Sequence, residues 1–586
     1  MHSQDLENTK LFKRPLWFYI KNNPRAFSLG MIFLLATNIL DGIYPLILKA
    51  AIDQIESQSP LSALGKSCIA LLAVMTGLAA TRFGWRVHFG RFHTYAAEHI
   101  RQKIFRHLTT LGPNFFQRNQ VGELMSLLTN DVQSFRQAIG PGLLILADGI
   151  IIIAVVLPIM ASLSWSWTWK TLVFLPLVPF LIWKVMRLIH ANYRIQQDRF
   201  SELTGVAQET VGGIRVIKSF SQEDNRTQLF NSVSSAFEKA CNKVARIDAY
   251  FIPIMEFGVT SGSVILLFIA KDDLFTGAVS IGTFVAFHRY IQKMVWPMTA
   301  LGMGFSYFQK GYASFDRIKK VLSTDTDIPD SGDLDLQDFK ELEVRNLSYK
   351  HPGSEHYVLK NVSFTLRAGE SLGIMGPVGA GKTTLLHLLT RMYPLAEGEI
   401  LINGKPIELY TQESLRKTFL LVPQEAFLFS ETVSENISFG LLDRATDEET
   451  LRMTEVVDLT NEIQSLPHQF NSQLGERGVN LSGGQKQRLT IARGLIMQTP
   501  VLILDDSLSA VDTKTEKAIE EELSKASTRN SRIIVAHRLS SLKAMDRILI
   551  LKDGEVEALG THQELMNVSP TYQTIVKIQG QGASHE

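Results

Sequence analysis

The stretch Gly376-Pro377-Val378-Gly379-Ala380-Gly381-Lys382-Thr383 places three glycines, a lysine and a hydroxyl within eight residues. It follows the apolar run SLGIM and leads, through Thr383 and Thr384, into the helix-favouring run LLHLL. Glycines let successive backbone N–H groups curl around phosphate oxygens, and the helix that follows favours the same anion at its N-terminus. Lys382 adds a point charge for the β- and γ-phosphates of a nucleotide, and the Thr383 hydroxyl can ligate Mg2+. With glycine at about 7 % of residues, a chance match at any one position is roughly one in tens of thousands. About 120 residues further on, LILDD ends an apolar strand in two carboxylates, Asp505 and Asp506. In nucleotide hydrolases the first of such a pair faces Mg2+ and the second, usually Glu, faces the attacking water. Between the two motifs lies LSGGQKQRL, Leu481 to Leu489. There Ser482, Gly483, Gly484 and Gln485 open a predicted helix, a second cluster of N–H groups suited to phosphate.

The elements that must hold these residues fall into two halves. The chain has 586 residues, too many for one core. Its net charge of +1 gives no argument for nucleic acid as a partner. The two cysteines, Cys68 and Cys241, make neither a disulfide framework nor a metal cluster. The N-terminus MHSQDLENTK is polar and mixed in charge, unlike a cleavable signal peptide. Apolar runs at about 27–50, 63–86, 138–162, 168–190, 250–271 and 280–304 are each long enough to cross a bilayer. Lys and Arg cluster before the first run, between the second and third, and between the fourth and fifth. That asymmetry predicts a multi-pass protein of the cytoplasmic (inner) membrane with its N-terminus and C-terminal half in the cytoplasm.

The two cation-rich loops are about 50–60 residues each and read as helical hairpins reaching roughly 38 Å beyond the spans. Their turns are expected near NFFQRNQVGELMS and VGGIRVIKSFSQED, tips able to carry force between a membrane domain and a soluble one. The predicted domains are therefore a transmembrane domain at 1–322, a linker at 323–340 that includes the acidic STDTDIPDSGDLDLQD, an α/β nucleotide-binding domain at 341–580, and a disordered tail at 581–586.

In this order the motifs resemble those of ABC transporters, specifically exporter-type half-transporters with membrane and ATPase domains fused, and the resemblance covers nearly the whole chain. It implies a six-helix transmembrane α-bundle with long cytoplasmic helical extensions, followed by an α/β P-loop ABC ATPase domain. ATP and Mg2+ would be the cofactors. By the family pattern Gln424 in LVPQEAFLF touches Mg2+ and senses the membrane domain. GERG, Gly475 to Gly478, resembles the exporter X-loop, Asp512 belongs to the D-loop, and His537 in IIVAHRLS is the switch histidine that contacts the γ-phosphate. One position departs. Where the family has a Tyr before Pro352 to stack on adenine, this chain has His351, with Tyr349 two residues earlier, and either ring could stack.

In such transporters each ATP is held between one chain's P-loop and the other chain's LSGGQ. The water-polarising carboxylate would here be Asp506, one methylene shorter than Glu and so withdrawn by roughly 1 Å, a displacement that can cost on the order of 10²-fold in rate. The intact Ser482–Gln485 motif beside a weakened own site resembles the degenerate-site half of bacterial heterodimeric multidrug exporters. The expected partners are a second, different half-transporter with Glu at that position, the lipid bilayer, and an amphiphilic small-molecule cargo, drug or lipid, moved by alternating access. The alternatives are a homodimeric lipid or peptide exporter, or an ATP-gated regulatory or channel subunit. Asp41, Asp148 and Glu256 lie inside apolar runs and are either contacts for cationic cargo or structural and gating groups paired with Arg289 or Lys293.

Overall fold

The computed structural model describes residues 11–582 apart from 175–176, 396, 442, 476–477, 479, 510, 512, 527–529 and 540. Asp512, the middle of GERG and residues 583–586 of the expected tail lie outside the described residues. The chain divides into two units. One holds the residues up to Thr109 together with Val121–Thr324; the other holds Thr110–Gln120 and everything from Asp325 on.

The first unit is helical. Pro24–Glu56 and Leu61–Leu108 lead to the tip, and Val121–Leu163 returns from it. Trp165–Phe174, Leu177–Gly212, Glu223–Asp248, Phe251–Phe275 and Ile281–Leu322 follow. At 1.5 Å per residue the 48 residues of Leu61–Leu108 span about 72 Å. That is more than twice the roughly 30 Å of a hydrocarbon core. Pro24–Glu56, Leu61–Leu108 and Val121–Leu163 are, among the described residues, the three stretches long and apolar enough to cross a membrane. The expected runs at 168–190, 250–271 and 280–304 fall on Trp165–Phe174 with Leu177–Gly212, on Phe251–Phe275 and on Ile281–Leu322. Only 11 to 28 % of each of the three apolar stretches is buried in the protein. Ile32, Ile69, Leu72, Phe83 and Ile150 all point outward, so the surroundings that suit these helices are themselves apolar.

The returning helix contains two π-helical turns, Leu127–Asp131 and Ala138–Gly142. Pro141 sits in the second, where the widened turn accommodates a residue that cannot donate to the helical ladder. Helix Ile281–Leu322 braces both. The buried Asp131 accepts two hydrogen bonds from Arg317, the one from Nε at 3.0 Å. The Phe135 and Phe315 rings stack at 5.1 Å. Gly311 packs so closely that a Cβ there would collide with Ala138.

The second unit contains two sheets. A four-stranded antiparallel sheet runs β2-β1-β4-β5, with β1 Glu341–Tyr349, β2 Leu359–Arg367, β4 Glu397–Ile402 and β5 Lys405–Pro406. A six-stranded sheet runs β10-β9-β3-β8-β7-β6. In it β3 (Ser371–Met375), β6 (Phe419–Val422), β7 (Val501–Asp505), β8 (Ser531–Val535) and β9 (Arg547–Lys552) are parallel, and β10 (Glu555–Gly560) closes one edge antiparallel. Every residue of β3 and β7 is buried, which is why SLGIM and VLILD read as continuous rather than alternating apolar runs.

The segment expected as a linker runs along this unit. Leu334 pairs with Tyr410 in a parallel bridge, Gln412 Nε2 donates to the Ile328 carbonyl at 2.6 Å, and the buried Arg391 guanidinium donates to the Pro329 carbonyl (2.8 Å) and the Tyr410 carbonyl (3.0 Å). The first expected tip is the short helix Pro113–Arg118, which starts on proline as helix N-termini favour. It too is fastened here: Asn114 Nδ2 donates to Asp327 at 2.6 Å and Gln117 Nε2 to the Tyr393 hydroxyl at 2.8 Å. The second expected tip contains the short helix Ile214–Ser219 in the first unit.

Arg391→Ala removes two charge-assisted hydrogen bonds and leaves both carbonyls unpaired. It is expected to destabilise the second unit by about 1.5–3 kcal/mol. The change should appear as a lower unfolding midpoint and faster proteolysis within 323–338.

Candidate functional site

The parallel register brings the predicted residues to one edge of the six-stranded sheet. β3 lies beside β8, β8 beside β7 and β7 beside β6, with Asp505 opposite Val535 and Val422 opposite Leu504. Each strand's C-terminal end therefore delivers the next residues to a common place: Gly376 after β3, His537 after β8, Asp505 and Asp506 from β7, Gln424 after β6. Such strand ends are where open α/β sheets form ligand crevices. A cleft of about 260 Å³ lies there, lined by Val378 through Thr384, Gln424, Asp505, Asp506 and His537, with Val358 and Val535 as apolar walls. Gly376 and Pro377 begin the same loop but are not among the residues lining the cleft.

The loop geometry follows from its glycines. Gly381, the N-cap of helix Lys382–Leu389, has φ 93°, a left-handed conformation that a side chain would strain. A Cβ there would also come within 2.7 Å of Leu359. Lys382 Nζ donates to the carbonyls of Gly376 (2.8 Å) and Pro377 (2.9 Å), bending the ammonium over its own loop. The Thr383 side chain hydrogen-bonds Asp505. Asp506 Oδ2 accepts from Gln424 Nε2 at 3.2 Å and lies 3.9 Å from His537 Nε2.

Asp506 itself has φ 45°. Among non-glycine residues Asp is one of the few enriched in that region, so the strand ends in a turn that tolerates this residue type well. Burial raises the Asp505 and Asp506 carboxyls above the ordinary carboxylate value and lowers the Lys382 ammonium below that of a free lysine. The opposite charges oppose both shifts, and all three groups are less than 10 % exposed.

Other predicted residues lie elsewhere. Ser482 caps helix Gly483–Leu495 in a reciprocal capping box with Gln485, and the Ser482–Gln485 stretch is not among the residues lining this chain's cleft. The two candidate aromatic residues separate. Tyr349 is 2 % exposed, its ring stacked on Tyr393 at 5.7 Å, and presents no open face. His351 is half-buried and meets Tyr393 edge-on at 5.5 Å. Asp41 and Asp148 are engaged by side chains within the helical unit, and Glu256 is exposed on Phe251–Phe275.

Three residues were not found from sequence. Gln487 is buried in the helix that Ser482 caps, and its Nε2 donates to the backbone carbonyls of Gln424 and Asp506, both at 3.4 Å. Arg493 on the same helix donates to the Asn436 and Phe427 carbonyls, at 2.7 and 2.9 Å, and so fixes the segment that follows Gln424. Tyr393 joins the tip to the aromatic cluster. Gln487 and Arg493 lie about 200° and about 80° around the helix from Gln485, so no single face marked them, and Tyr393 carried no signal either.

The arrangement can hold a polyphosphate and a hard divalent cation. The loop offers N–H groups and an ammonium. The oxygens of Thr383, Asp505 and the Gln424 amide are the donor set Mg2+ prefers, whereas soft metals would want thiolate or imidazole.

Comparison with known proteins gives the following. Residues 27–298 match the family model described as the ABC transporter transmembrane region, and residues 359–509 the one described as ABC transporter. The chain is 34 % identical over 95 % of its length, and 95 % of the relative's, to a probable multidrug resistance ABC transporter ATP-binding/permease protein, YheI, of Bacillus subtilis. It is 32 % identical to the multidrug resistance-like ATP-binding protein MdlA of Escherichia coli, over 97 % of each chain. It is 29 % identical to the ATP-dependent lipid A-core flippase of Haemophilus influenzae, over 99 % of each. A bacterial Atm1-family ABC exporter solved with ATP bound has the same fold, with TM-score 0.78 and 23 % identity over 95 % of this chain and 99 % of that one.

Lys382→Met keeps the stem but removes the charge. The affinity for a nucleoside triphosphate, read by equilibrium binding, is expected to fall about 10–100-fold, the value of one charge-assisted hydrogen bond.

Proposed function

Because the chain belongs to the ABC transporter family, an exporter-type transmembrane region fused to an ATPase that couples hydrolysis to transport, we propose that it exports amphiphilic compounds, drugs or lipids, as one half of a heterodimer whose own P-loop site is weakly hydrolytic. The observation that carries this reading is the Asp506 carboxylate. It stands where the water-facing group of the site should be, yet its side chain is short and is already engaged by Gln424. A general base must come within hydrogen-bond reach of its water. From this position Asp506 falls about 1 Å short of where a Glu carboxylate would reach, which supports slow turnover with nucleotide binding preserved.

The roles follow from position. The Gly376–Thr383 backbone and Lys382 bind the β- and γ-phosphates. Thr383, Asp505 and Gln424 would hold Mg2+, which when bound offsets phosphate charge as a Lewis acid. His537, two residues past β8 and lining the cleft, would donate to the γ-phosphate. His351, less buried than Tyr349, would be the ring that stacks on adenine. The Ser482–Gln485 helix start, turned to no site of its own, is available to the partner chain's nucleotide. Closing of the paired ATPase domains would pull on the tips, and Asn114 and Gln117 tie one tip to the unit that does the closing. The cation-rich loops support an inner-membrane protein with N-terminus and ATPase in the cytoplasm. The printed names of the relatives, multidrug resistance proteins and lipid A-core flippases, support amphiphilic cargo of either kind.

Two measurements test the reading. The purified chain alone should hydrolyse ATP slowly, and Asp506→Glu should speed it on the order of 10²-fold. Brisk hydrolysis by the unmodified chain with no gain from Glu would refute the degenerate-site proposal. His351→Ala should weaken ATP binding by about 1–3 kcal/mol, as loss of one base–aromatic stack does, whereas Tyr349→Phe should leave affinity unchanged.

A further inference from the structure

The helix Pro570–Gly582 contains none of the nucleotide motifs. On it Tyr572, Ile575, Val576 and Gln579 stand at i, i+3, i+4 and i+7 and share one face. Tyr572 is fully buried, and Ile575 and Val576 pack against the core that also holds Leu539 and Leu565. The start of the helix is fastened to β10: Glu557 accepts from the Thr571 N–H at 3.1 Å and from the Ser569 hydroxyl. Gln579 is half-buried and ends an otherwise core-facing stripe, where its amide needs partners.

It finds them on the loop after β8. Gln579 Nε2 donates to the His537 carbonyl at 2.6 Å, and Gln579 Oε1 accepts from the Leu539 N–H at 2.8 Å. A carbonyl can only accept and a backbone N–H can only donate, so this pairing fixes which way the amide points. One side chain therefore holds the backbone on both sides of Arg538. The Arg538 guanidinium donates to the carbonyls of Ser509 (3.1 Å) and Val511 (2.9 Å) and to the buried Glu516 carboxylate (3.3 Å). Leu539 turns into the core. The His537 imidazole lines the cleft, 3.9 Å from Asp506.

The His537 side chain is 43 % exposed, so little packing holds the ring itself. Its direction is set by the backbone that carries it. Ordering a loose loop when a ligand arrives costs conformational entropy, and a loop already tied at both flanks avoids that cost. The gain falls on the part of the ligand that the imidazole meets. For His537 that part is the γ-phosphate, the group by which a triphosphate differs from a diphosphate.

We propose that Gln579 is a positioning residue for His537, and that through it the helix Pro570–Gly582 sets how strongly this cleft prefers ATP to ADP. This rests on the reading of His537 as the γ-phosphate contact. Gln579 touches no nucleotide itself; it acts through the two hydrogen bonds that flank Arg538.

The test measures equilibrium binding of ATP and of ADP, each with Mg2+, to the purified full-length chain. His537→Ala should lower the ATP-to-ADP affinity ratio about tenfold, the value of one hydrogen bond to a charged group. Gln579→Ala should lower it about threefold to tenfold with ADP affinity unchanged. Gln579→Glu keeps the shape and the acceptor but cannot donate to the His537 carbonyl, so it should lose as much, and it gives the same reading if the Ala variant folds poorly. The double variant His537→Ala with Gln579→Ala should fall no further than His537→Ala alone, because the two residues act as one unit. A ratio unmoved by both Gln579 variants, equal losses for ATP and ADP, or additive losses in the double variant would overturn the proposal while leaving the role of His537 intact. A ratio unmoved by His537→Ala would remove that role and this inference with it.

Discussion

The second unit is organised around one buried ammonium facing two adjacent carboxylates. Lys382, Asp505 and Asp506 are all withdrawn from solvent, and each pays a desolvation penalty that shifts its proton affinity toward the neutral form. Such a group of charges is tolerable only where its geometry is fixed by something stiffer than a loop. The parallel sheet supplies that stiffness. β3, β8, β7 and β6 end side by side, with every residue of β3 and β7 buried, so the loops that follow start from points that the hydrogen-bond register dictates. The glycines then allow the backbone to turn where a side chain would collide.

The same unit reaches beyond its own sheets. It holds the tip Thr110–Gln120, whose two flanking helices, Leu61–Leu108 and Val121–Leu163, are apolar enough to cross a membrane. It also holds the segment after Thr324 through Arg391 and Gln412. The chain thus passes between the two units three times, after Thr109, Gln120 and Thr324, and within the second unit the helix Pro113–Arg118 is anchored to Asp327 and Tyr393.

Much of this was legible in the sequence because it depends on short-range spacing. The P-loop, the double aspartate and the helix opened by Ser482 are each read within ten residues, and the apolar runs coincide with helices, three of them long and apolar enough to cross a membrane among the described residues. What was not legible depends on which side chain is buried. Tyr349 and His351 look equivalent on paper; only strand β1 and the ring of Tyr393 decide that the first is covered. The 323–340 stretch reads as a spacer from its acidic, turn-rich composition, yet Asp327 and the carbonyls of Ile328 and Pro329 have specific partners far away in sequence. Asp41 and Asp148 read as bare acids within apolar runs, because Lys293, Asn38 and Trp296 stand on other helices or distant turns.

The two π-helical turns of the returning helix have a consequence of their own. Each takes in one residue more than an α-helical turn, and one residue corresponds to about 100° of rotation. The residues before Leu127 and after Gly142 are therefore out of phase with a single regular helix by roughly half a revolution, and a helical wheel drawn straight through the region assigns one end to the wrong side. Insertions and deletions, normally ruinous inside a helix, have here a place to be absorbed. Losing one residue between Leu127 and Gly142 would convert a widened turn to a regular one and leave the flanking residues on the faces they now occupy, so the chain can change length here while the two ends of the helix keep their orientation.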